Sequence, residues 1–524
     1  MKLQEIEIGS IDAKNELITE SADEKARFNE TYIIPENINL KPFFDGKKFI
    51  VTGLKGTGKT AILRYVALKR EVQGESYKFL LFKSDYREED RKGFSYSRQN
   101  VTKQEVEDAD RRDYIHLWKW RLIDDILSYS IETGNRLFIE SNDWDRLIAL
   151  KSVIDSARNE RKSGSIFPFK IKKGNIEVKV SVLRNYIRFF AEFEPRLDAA
   201  EGLTMSFKEL VDDAMKCYER LERNDNFKDS FGYYIDELEL SKSNNRQFER
   251  DIALINDLIV AMCDLNRIAM RRSYKVRIYA AIRKEVATSI ENSGSEINKL
   301  ITDFGVELSW SGKVTDSKSH PLLRILYKRI YVAEKAKNPA FDETYEVLMA
   351  RYFPSTIGST PWYDYVLHMT WFRPRDIIRL FRIIIDANPM FDSFTVDAIK
   401  RARKPYAEES WVELVEEMRT SYRAEEIKGV QQLLSGFEIP ITQHALVELT
   451  DRRKKTDKEL RELLEARPMS SLLHDLYGYG IVGNYDSGRV RYYFRGDSMF
   501  IPEKEILIHN GLHGQFSTTW RSRS

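Results

Sequence analysis

Cysteine is almost absent from this chain of 524 residues, which contains only Cys217 and Cys263. Each lies in an apolar, helical-looking stretch without a partner Cys or His at metal-binding spacing, which argues against a disulfide framework and a zinc module. The 7 histidines are scattered without metal or triad spacing. Long apolar runs are missing too, since even the most apolar window, 377–385, carries two arginines. Because residues 1–40 also lack a basic region followed by an apolar one, we expect a cytoplasmic protein that does not enter a membrane.

Neither sign of charge is in excess. The chain has 84 Lys and Arg against 82 Asp and Glu, a formal charge of +2, so any surface that binds phosphate must be local. Its length suggests about three domains at roughly 150 residues each. Residues 1–45 hold ten acidic and five basic side chains, which predicts an acidic N-terminal lead-in.

A glycine-rich loop follows the first short apolar run. Residues 53–60 read GLKGTGKT and fit GxxxxGKT completely, with a strand candidate before them and a helical pattern after them. In such loops the glycines turn backbone N–H groups toward phosphates, the lysine reaches the β and γ phosphates, and the hydroxyl ligates Mg²⁺. The sequence therefore predicts a site for ATP and Mg²⁺, with Thr60 as a metal ligand, Lys59 as a catalytic group, and these nucleotide-binding residues: Gly53, Gly56, Thr57, Gly58, Lys59 and Thr60.

A pair of carboxylates, Asp236 and Glu237, ends another strand candidate. A P-loop site needs one carboxylate at the end of a neighbouring strand to hold Mg²⁺, often followed by a second that polarises the attacking water. A strand-ending Asp-Glu pair alone is more typical of a solvated turn, but the GxxxxGKT loop reverses that preference. We expect Asp236 to bind the metal and Glu237 to act as general base, and this glutamate favours hydrolysis over small-molecule kinase chemistry.

Strand and helix patterns predict an α/β fold of the P-loop NTPase class. The strand candidates, most of them followed by helices, indicate a parallel five-stranded sheet: 48–52, 78–83, 231–235, 275–282 and 305–310. The predicted domains are an acidic lead-in (1–45), an ATPase core (46–315) with a large helical insertion (86–230), a helical lid (316–405) and a helical, winged-helix-like C-terminal domain (406–524).

These features together resemble AAA+ and STAND-type ATPases over residues 28–400, and more narrowly bacterial P-loop ATPases found among defence and mobile-element genes. The resemblance rests on the P-loop, the Asp-Glu pair, the long insertion, Arg283, the Arg373-Pro374-Arg375-Asp376 helix start and the lid. It implies that ATP binding and hydrolysis switch conformation or assembly, commonly with an arginine finger from a neighbouring subunit. Three arginines are candidates for that finger: Arg329, Arg351 and Arg373.

The resemblance also assigns roles to two further arginines. Arg283 follows the fourth strand candidate, where related ATPases place a polar residue that senses the γ-phosphate. Arg375 lies in the first turn of a helix that begins with proline, from which a lid arginine could reach the nucleotide. A surface arginine at a strand end and a simple capped helix are the respective structural alternatives.

The last part of the chain resembles a winged-helix module, with helices at 456–466 and 468–479 and wing strands at 481–482 and 490–494. Residues 450–524 carry 13 basic and 10 acidic side chains, which is too even to identify a phosphate-binding face. Residues 151–184 are more basic, with nine basic and three acidic side chains around a hairpin candidate at 169–182. Such a hairpin could follow a nucleic-acid backbone. Alternatively, it could be a solvent-exposed projection or a contact between subunits.

The leading hypothesis is therefore an Mg²⁺-dependent ATPase that works as a switch or motor on double- or single-stranded DNA or within an antiviral defence assembly, as a homo-oligomer or with a partner effector protein. The alternative is a nucleotide-dependent scaffold that recruits a protein effector without binding nucleic acid. A transcription regulator with a degenerate ATPase is a third, less favoured class, because both nucleotide motifs are intact.

Overall fold

The computed structural model describes most of the chain, whose backbone divides into two compact units. The described residues are 1–36, 38–85, 114–159, 175–176, 205–240, 245–294, 297–311, 316–419, 421–436, 438–486, 488–516 and 519–520. We call Asn39–Leu54 with Ile62–Glu307 the sheet unit, and Met1–Ile38 with Lys55–Ala61 and Leu308–Ser524 the terminal unit. Most of the glycine-rich loop therefore belongs to the terminal unit, although the strand before it lies in the sheet unit.

The sheet unit is built around five parallel strands. They are β1 (Ile50–Gly53), β2 (Glu75–Leu81), β3 (Ser230–Leu238), β4 (Val276–Arg283) and β5 (Gly305–Glu307), in the spatial order β2-β3-β4-β1-β5. Every residue of β1 is buried, as are most of those in β3 and β4, as expected for parallel strands covered on both faces. This confirms the parallel five-stranded sheet expected from the sequence.

The register of this sheet brings the functional candidates of the sheet unit to one edge. At the end of β1, Gly53 pairs with Arg283 of β4, and at the end of β2, Leu81 pairs with Asp236 of β3. From β1 the chain moves toward one end of the strand order to form β2, and from β4 it moves toward the opposite end to form β5. Neighbouring strands whose connections diverge in this way form a switch point, where open α/β sheets bind ligands beyond the carboxyl ends of their strands.

Helices account for most of the remaining described residues. The α-helices are α1 (Ala22–Thr31), α2 (Lys41–Phe44), α3 (Lys59–Glu71), α4 (Phe82–Asp85), α5 (Ile115–Glu132), α6 (Asn142–Asn159), α7 (Phe207–Arg220), α8 (Asn245–Arg271), α9 (Lys284–Asn292), α10 (Ile297–Phe304), α11 (Pro321–Lys337), α12 (Tyr345–Tyr352), α13 (Trp362–Met369), α14 (Pro374–Ala387), α15 (Val396–Arg401), α16 (Arg403–Met418), α17 (Ala424–Leu434), α18 (Gln443–Arg453), α19 (Lys458–Ala466), α20 (Met469–Gly478) and α21 (His513–Phe516). None of these described helices is long and apolar enough to cross a membrane.

The segment predicted as a helical insertion, 86–230, contains α5, α6 and α7 in its described part. Asn175–Ile176 pairs antiparallel with Met205–Ser206. The rest of the hairpin candidate at 169–182, and with it most of the basic stretch, lies outside the described residues.

The start of the chain is an integral part of the terminal unit. Leu3 is completely buried, and its backbone N–H donates to the carbonyl of Phe391 at 2.8 Å. The Glu16 carboxylate lies 2.7 Å from the Arg329 guanidinium, and their side chains are only 9% and 7% exposed. The acidic lead-in expected over residues 1–45 is therefore held against α11 by a buried ion pair.

The C-terminal part of the terminal unit combines helices α17 to α20 with a small antiparallel sheet. Its strands are β6 (Val482–Asp486), β7 (Arg489–Arg491) and β8 (Glu505–Ile508), in the order β7-β6-β8. The first strand shares only Val482 with the wing strand expected at 481–482. The second, expected at 490–494, ends at Arg491, and Tyr493–Arg495 forms a 3₁₀ turn instead. The third strand has no counterpart among the sequence predictions.

Candidate functional site

Two glycines of the glycine-rich loop have left-handed backbone. Gly56 and Gly58 have φ angles of +80° and +92°, in the left-handed region that favours glycine. Lys59 follows as the first residue of α3, with Thr60 next to it, and both are partly buried. Successive N–H groups in such a loop, followed by a helix N-terminus, form a concave site for phosphate oxygens.

A tryptophan that the sequence reading did not single out fixes this loop. The Trp310 indole N–H donates to the carbonyl oxygen of Thr57 at 2.8 Å, and both residues are buried within the terminal unit. A buried donor and acceptor that satisfy each other hold the loop backbone in one conformation. Trp310 ends the fifth strand candidate, but nothing in its local sequence connects it with the loop.

The Asp236-Glu237 pair lies in an irregular part of β3. The pairing of β3 with β4 shifts register between Ile235 and Leu238, and Glu237 has a φ angle of +58°. The Glu237 backbone N–H donates to the Asp236 carboxylate at 2.8 Å. Left-handed backbone at a residue other than glycine is strained and clusters at functional sites. The bulge therefore distinguishes this pair from an ordinary strand end.

The side chain of Glu237 is held by a residue that follows the neighbouring strand β2. The Ser84 hydroxyl, in the short helix α4 after β2, donates to the Glu237 carboxylate at 2.6 Å. Asp236 itself is 5% exposed, whereas Ser84 and its contact with Glu237 face solvent. Ser84 was missed in the sequence, although its place after a strand adjacent to β3 is a signal that could have identified it.

Arg283 lies at the carboxyl end of β4, directly beside the end of β1. Its guanidinium forms ion pairs with Glu239, which follows β3, and with Glu285 at 3.8 Å. The side chain is 26% exposed. Asp236, Glu237 and Arg283 thus share one edge of the sheet, but the contacts of Arg283 with carboxylates also fit its structural alternative.

The two arginines at the start of α14 pack against the loop within the terminal unit. A Cβ atom built on Gly56 would lie 3.3 Å from Cδ of Arg373 and 3.5 Å from Cβ of Arg375. One built on Gly58 would lie 3.9 Å from Pro374. Arg375 therefore lies beside the glycine-rich loop.

Each of these arginines also has carboxylate partners on α16. Arg375 Nη1 donates to Glu413 at 2.6 Å, while its Nε donates to the carbonyl of Ile11 at 3.3 Å. The Arg373 guanidinium lies 3.7 Å from Glu417. Sequence reading missed Glu413 and Glu417, because nothing in their local sequence connects them with the glycine-rich loop.

The three arginine-finger candidates differ in their surroundings. Arg329 is buried against Glu16, and Arg373 is 8% exposed beside the loop. Arg351 has a 46% exposed side chain, 3.4 Å from Glu334 and also paired with Glu343. Arg351 is therefore the most accessible of the three.

A magnesium nucleotide needs fewer protein ligands than a metal ion held by protein alone. No group of three or more His, Cys, Asp or Glu side chains that could hold a metal occurs in the part of the chain that the structure describes. Mg²⁺ commonly takes one or two protein oxygens and completes its shell with substrate phosphates and water. Left-handed glycines, such as Gly56 and Gly58 here, are typical of loops whose backbone N–H groups bind phosphates.

The fold and the placement of these residues define an α/β protein with an all-parallel five-stranded sheet and a helical domain toward its C-terminus, an architecture that fits an NTPase-like fold. A family model described as the FunZ-associated C-terminal helical domain matches residues 320–415, which span α11 to α15 and most of α16. Comparison with curated proteins gives no match.

Proposed function

We propose that this chain is an Mg²⁺-dependent P-loop ATPase that uses ATP binding and hydrolysis as a switch or motor. The observation that carries the proposal is the complete GxxxxGKT sequence in a loop with left-handed Gly56 and Gly58, which joins the buried strand β1 to α3 at the switch point of a parallel sheet. A loop that merely turned the chain would not require this lysine and threonine at the first turn of the helix.

In this proposal the loop binds and positions the nucleotide. The backbone N–H groups and Lys59 hold the β and γ phosphates, and Thr60 and Asp236 are the protein oxygens for Mg²⁺. When bound, Mg²⁺ neutralises charge on the phosphates. Catalysis then consists of positioning and electrostatic stabilisation, to which Arg283 and Arg375 contribute positive charge.

Glu237 is the general base of this proposal. Its carboxylate accepts a proton from the attacking water, and the Ser84 hydroxyl orients that carboxylate. The strained backbone at Glu237 supports this role, because the bulge holds two successive carboxylate residues at the edge of the sheet.

Steady-state ATP hydrolysis by three full-length proteins tests the proposal: wild type, Lys59→Ala and Glu237→Gln. Lys59→Ala should lose nucleotide binding. Glu237→Gln should still bind ATP but hydrolyse it roughly a hundredfold to ten-thousandfold more slowly, the usual contribution of a general base. Turnover that survives in both variants contradicts an ATPase site at this loop.

Nucleic acid is a proposed partner, and its contact is not expected through helix α20 of the C-terminal part. The exposed positions of α20 include Ser470, Ser471 and His474 but no lysine or arginine, whereas base and backbone readers of this type rely on basic side chains. Stimulation of hydrolysis by double- or single-stranded DNA would support a switch or motor that acts on nucleic acid. The resemblance implies that such a protein could also work within an antiviral defence assembly.

The scaffold alternative is distinguished by measurements of assembly size. ATP-dependent assembly that ignores DNA, detected by size measurements with and without ATP, would favour a nucleotide-dependent scaffold for a partner effector. The observation that favours this alternative is the nearly even charge of the chain, which provides no overall attraction for nucleic acid.

A further inference from the structure

Four cationic side chains of the terminal unit gather at and beside the glycine-rich loop. Lys55 lies inside the loop sequence, and Arg373 and Arg375 pack against Gly56. Arg379 lies one turn further along α14 with a side chain that is 6% exposed. A concentration of positive charge at an anion-binding loop strengthens the attraction of phosphate.

The same cations share two carboxylates on one face of α16. Glu413 contacts three of them: Arg375 at 2.6 Å, Arg379, and Lys55 at 3.6 Å. Glu417, one helical turn later, lies 3.7 Å from both Lys55 and Arg373. Residues four positions apart share a helix face, so the pair presents both carboxylates to the loop together.

These carboxylates are shielded from solvent. The side chains of Glu413 and Glu417 are 12% and 16% exposed, and that of Lys55 is 16% exposed. Burial raises the pKa of Glu413, but Arg379, Arg375 and Lys55 outweigh this effect and hold its pKa well below the usual range. Glu413 is therefore a full negative charge at neutral pH, and charge pairs screened from water interact more strongly than exposed ones.

We infer that Glu413 and Glu417 are resident counter-anions of the loop, and that nucleotide phosphates replace them as partners of Arg375, Arg373 and Lys55. The inference rests on the proposed function, and it adds that these two carboxylates set the affinity for nucleotide. Part of the attraction between the phosphates and the cations is offset by breaking the existing ion pairs. Removing one carboxylate then makes phosphate binding tighter, which a purely structural role for the glutamates does not predict.

Nucleotide affinity of the full-length chain tests this inference. Titration of MgATP into wild type and Glu417→Gln should give a Kd about fivefold lower for the variant, a typical coupling between two ligands of one site. Glu413→Gln should shift the Kd in the same direction. However, it also removes a carboxylate that accepts a hydrogen bond from the buried Arg379, so Glu417→Gln is the deciding variant if Glu413→Gln fails to fold.

Glu416 offers a matched control on the same helix. It lies 3.8 Å from Lys55, but its side chain is 62% exposed. Glu416→Gln removes the same charge from the neighbouring position, and we expect its Kd to stay within about twofold of wild type because exposed ion pairs are weak.

The outcomes separate this inference from the proposed function. Wild type that binds MgATP through Lys59, together with a folded Glu417→Gln protein whose Kd is unchanged or higher, overturns the role of the carboxylates and leaves the ATPase proposal standing. Wild type that fails to bind MgATP overturns both. Equal tightening by Glu416→Gln also contradicts the inference, since it would reflect net charge alone.

Discussion

Glu237 combines two properties that oppose each other in a single residue. Its φ angle of +58° is unfavourable for a residue with a Cβ atom, while its carboxylate accepts a hydrogen bond from Ser84. A position selected for stability alone would carry glycine. Retention of glutamate here is understandable if the side chain has a task that glycine cannot perform.

A pair of substitutions at this residue separates strain from side-chain chemistry. Glu237→Gly and Glu237→Ala both remove the carboxylate, but only glycine adopts the left-handed conformation without steric cost. We expect Glu237→Gly to have a free energy of unfolding about 1 kcal/mol higher than Glu237→Ala. Chemical denaturation of both proteins measures this difference. Equal stabilities would mean that the backbone at this position relaxes in solution.

Helix α11 begins with an unusual capping residue. His320 precedes Pro321, is 3% exposed, and accepts the backbone N–H of Leu322 through Nδ1 at 3.2 Å. Only an unprotonated Nδ1 can accept this bond. Burial lowers the pKa of His320 to about 4 from its usual value of 6.5.

This cap makes the stability of the terminal unit sensitive to acid. Because the folded pKa of His320 lies below the unfolded one, its contribution is complete above pH 6.5 and is lost as the pH falls toward 4. The loss amounts to at most about 3 kcal/mol. Asparagine also caps helices and does not titrate, so His320→Asn should lose less stability than wild type between pH 7 and pH 4.5.

Thermal unfolding at the two pH values measures this effect. His444→Asn is the matched control, since the side chain of His444 is 84% exposed at the start of α18. An acid sensitivity of His320→Asn equal to that of wild type would show that other groups, such as carboxylates, account for the whole loss.

At the level of elements, the sequence predicts what depends on local pattern. Apolar runs are sufficient to locate the strands of the parallel sheet. Two of these runs lie directly before the glycine-rich loop and the Asp-Glu pair. Yet β2 begins at Glu75, before the predicted start at 78. Glu75 is buried there because its carboxylate accepts hydrogen bonds from Arg70 Nε at 2.6 Å and from the Tyr234 hydroxyl at 3.2 Å. A charged residue inside a sheet core is not recognisable until its partners are known.

The residues of the candidate site also fall into two groups, those that short motifs identify and those that only the folded chain reveals. Lys59, Thr60 and Asp236 belong to short motifs whose spacing is visible in the sequence. Trp310 and Glu413 act through residues far away in the chain: the first lies 253 positions from Thr57, and the second 38 positions from Arg375. Contacts of this kind follow from packing of the whole chain, which local patterns do not encode.

At the scale of the whole molecule, the terminal unit joins segments from both ends of the chain. Two ion pairs connect the first residues with α11, and they differ in burial. Glu16 with Arg329 is 9% and 7% exposed, whereas Glu5 with Lys337 is 35% and 49% exposed at 2.5 Å. The two pairs provide a test of how much the early segment stabilises this unit.

Glu16→Ala should lower the free energy of unfolding by about 3–5 kcal/mol, because it leaves the buried Arg329 charge without its partner. Glu5→Ala removes an exposed ion pair to the same helix, and we expect it to change stability much less than Glu16→Ala does. Denaturant unfolding of the two full-length variants gives both values. A small effect of Glu16→Ala would indicate that the early segment contributes little to the unit.

The pairing of Glu16 with Arg329 also determines when the early segment can fold during synthesis of the chain. The two residues are 313 positions apart, so at translation rates of 5–20 residues per second the first is made about 15–60 s before the second. During that interval the early segment, with Leu3 and Leu17 that are buried in the finished protein, has no native surface on which to fold. Ribosome-associated chaperones would therefore meet these apolar side chains of the early segment long before α11 has been synthesised.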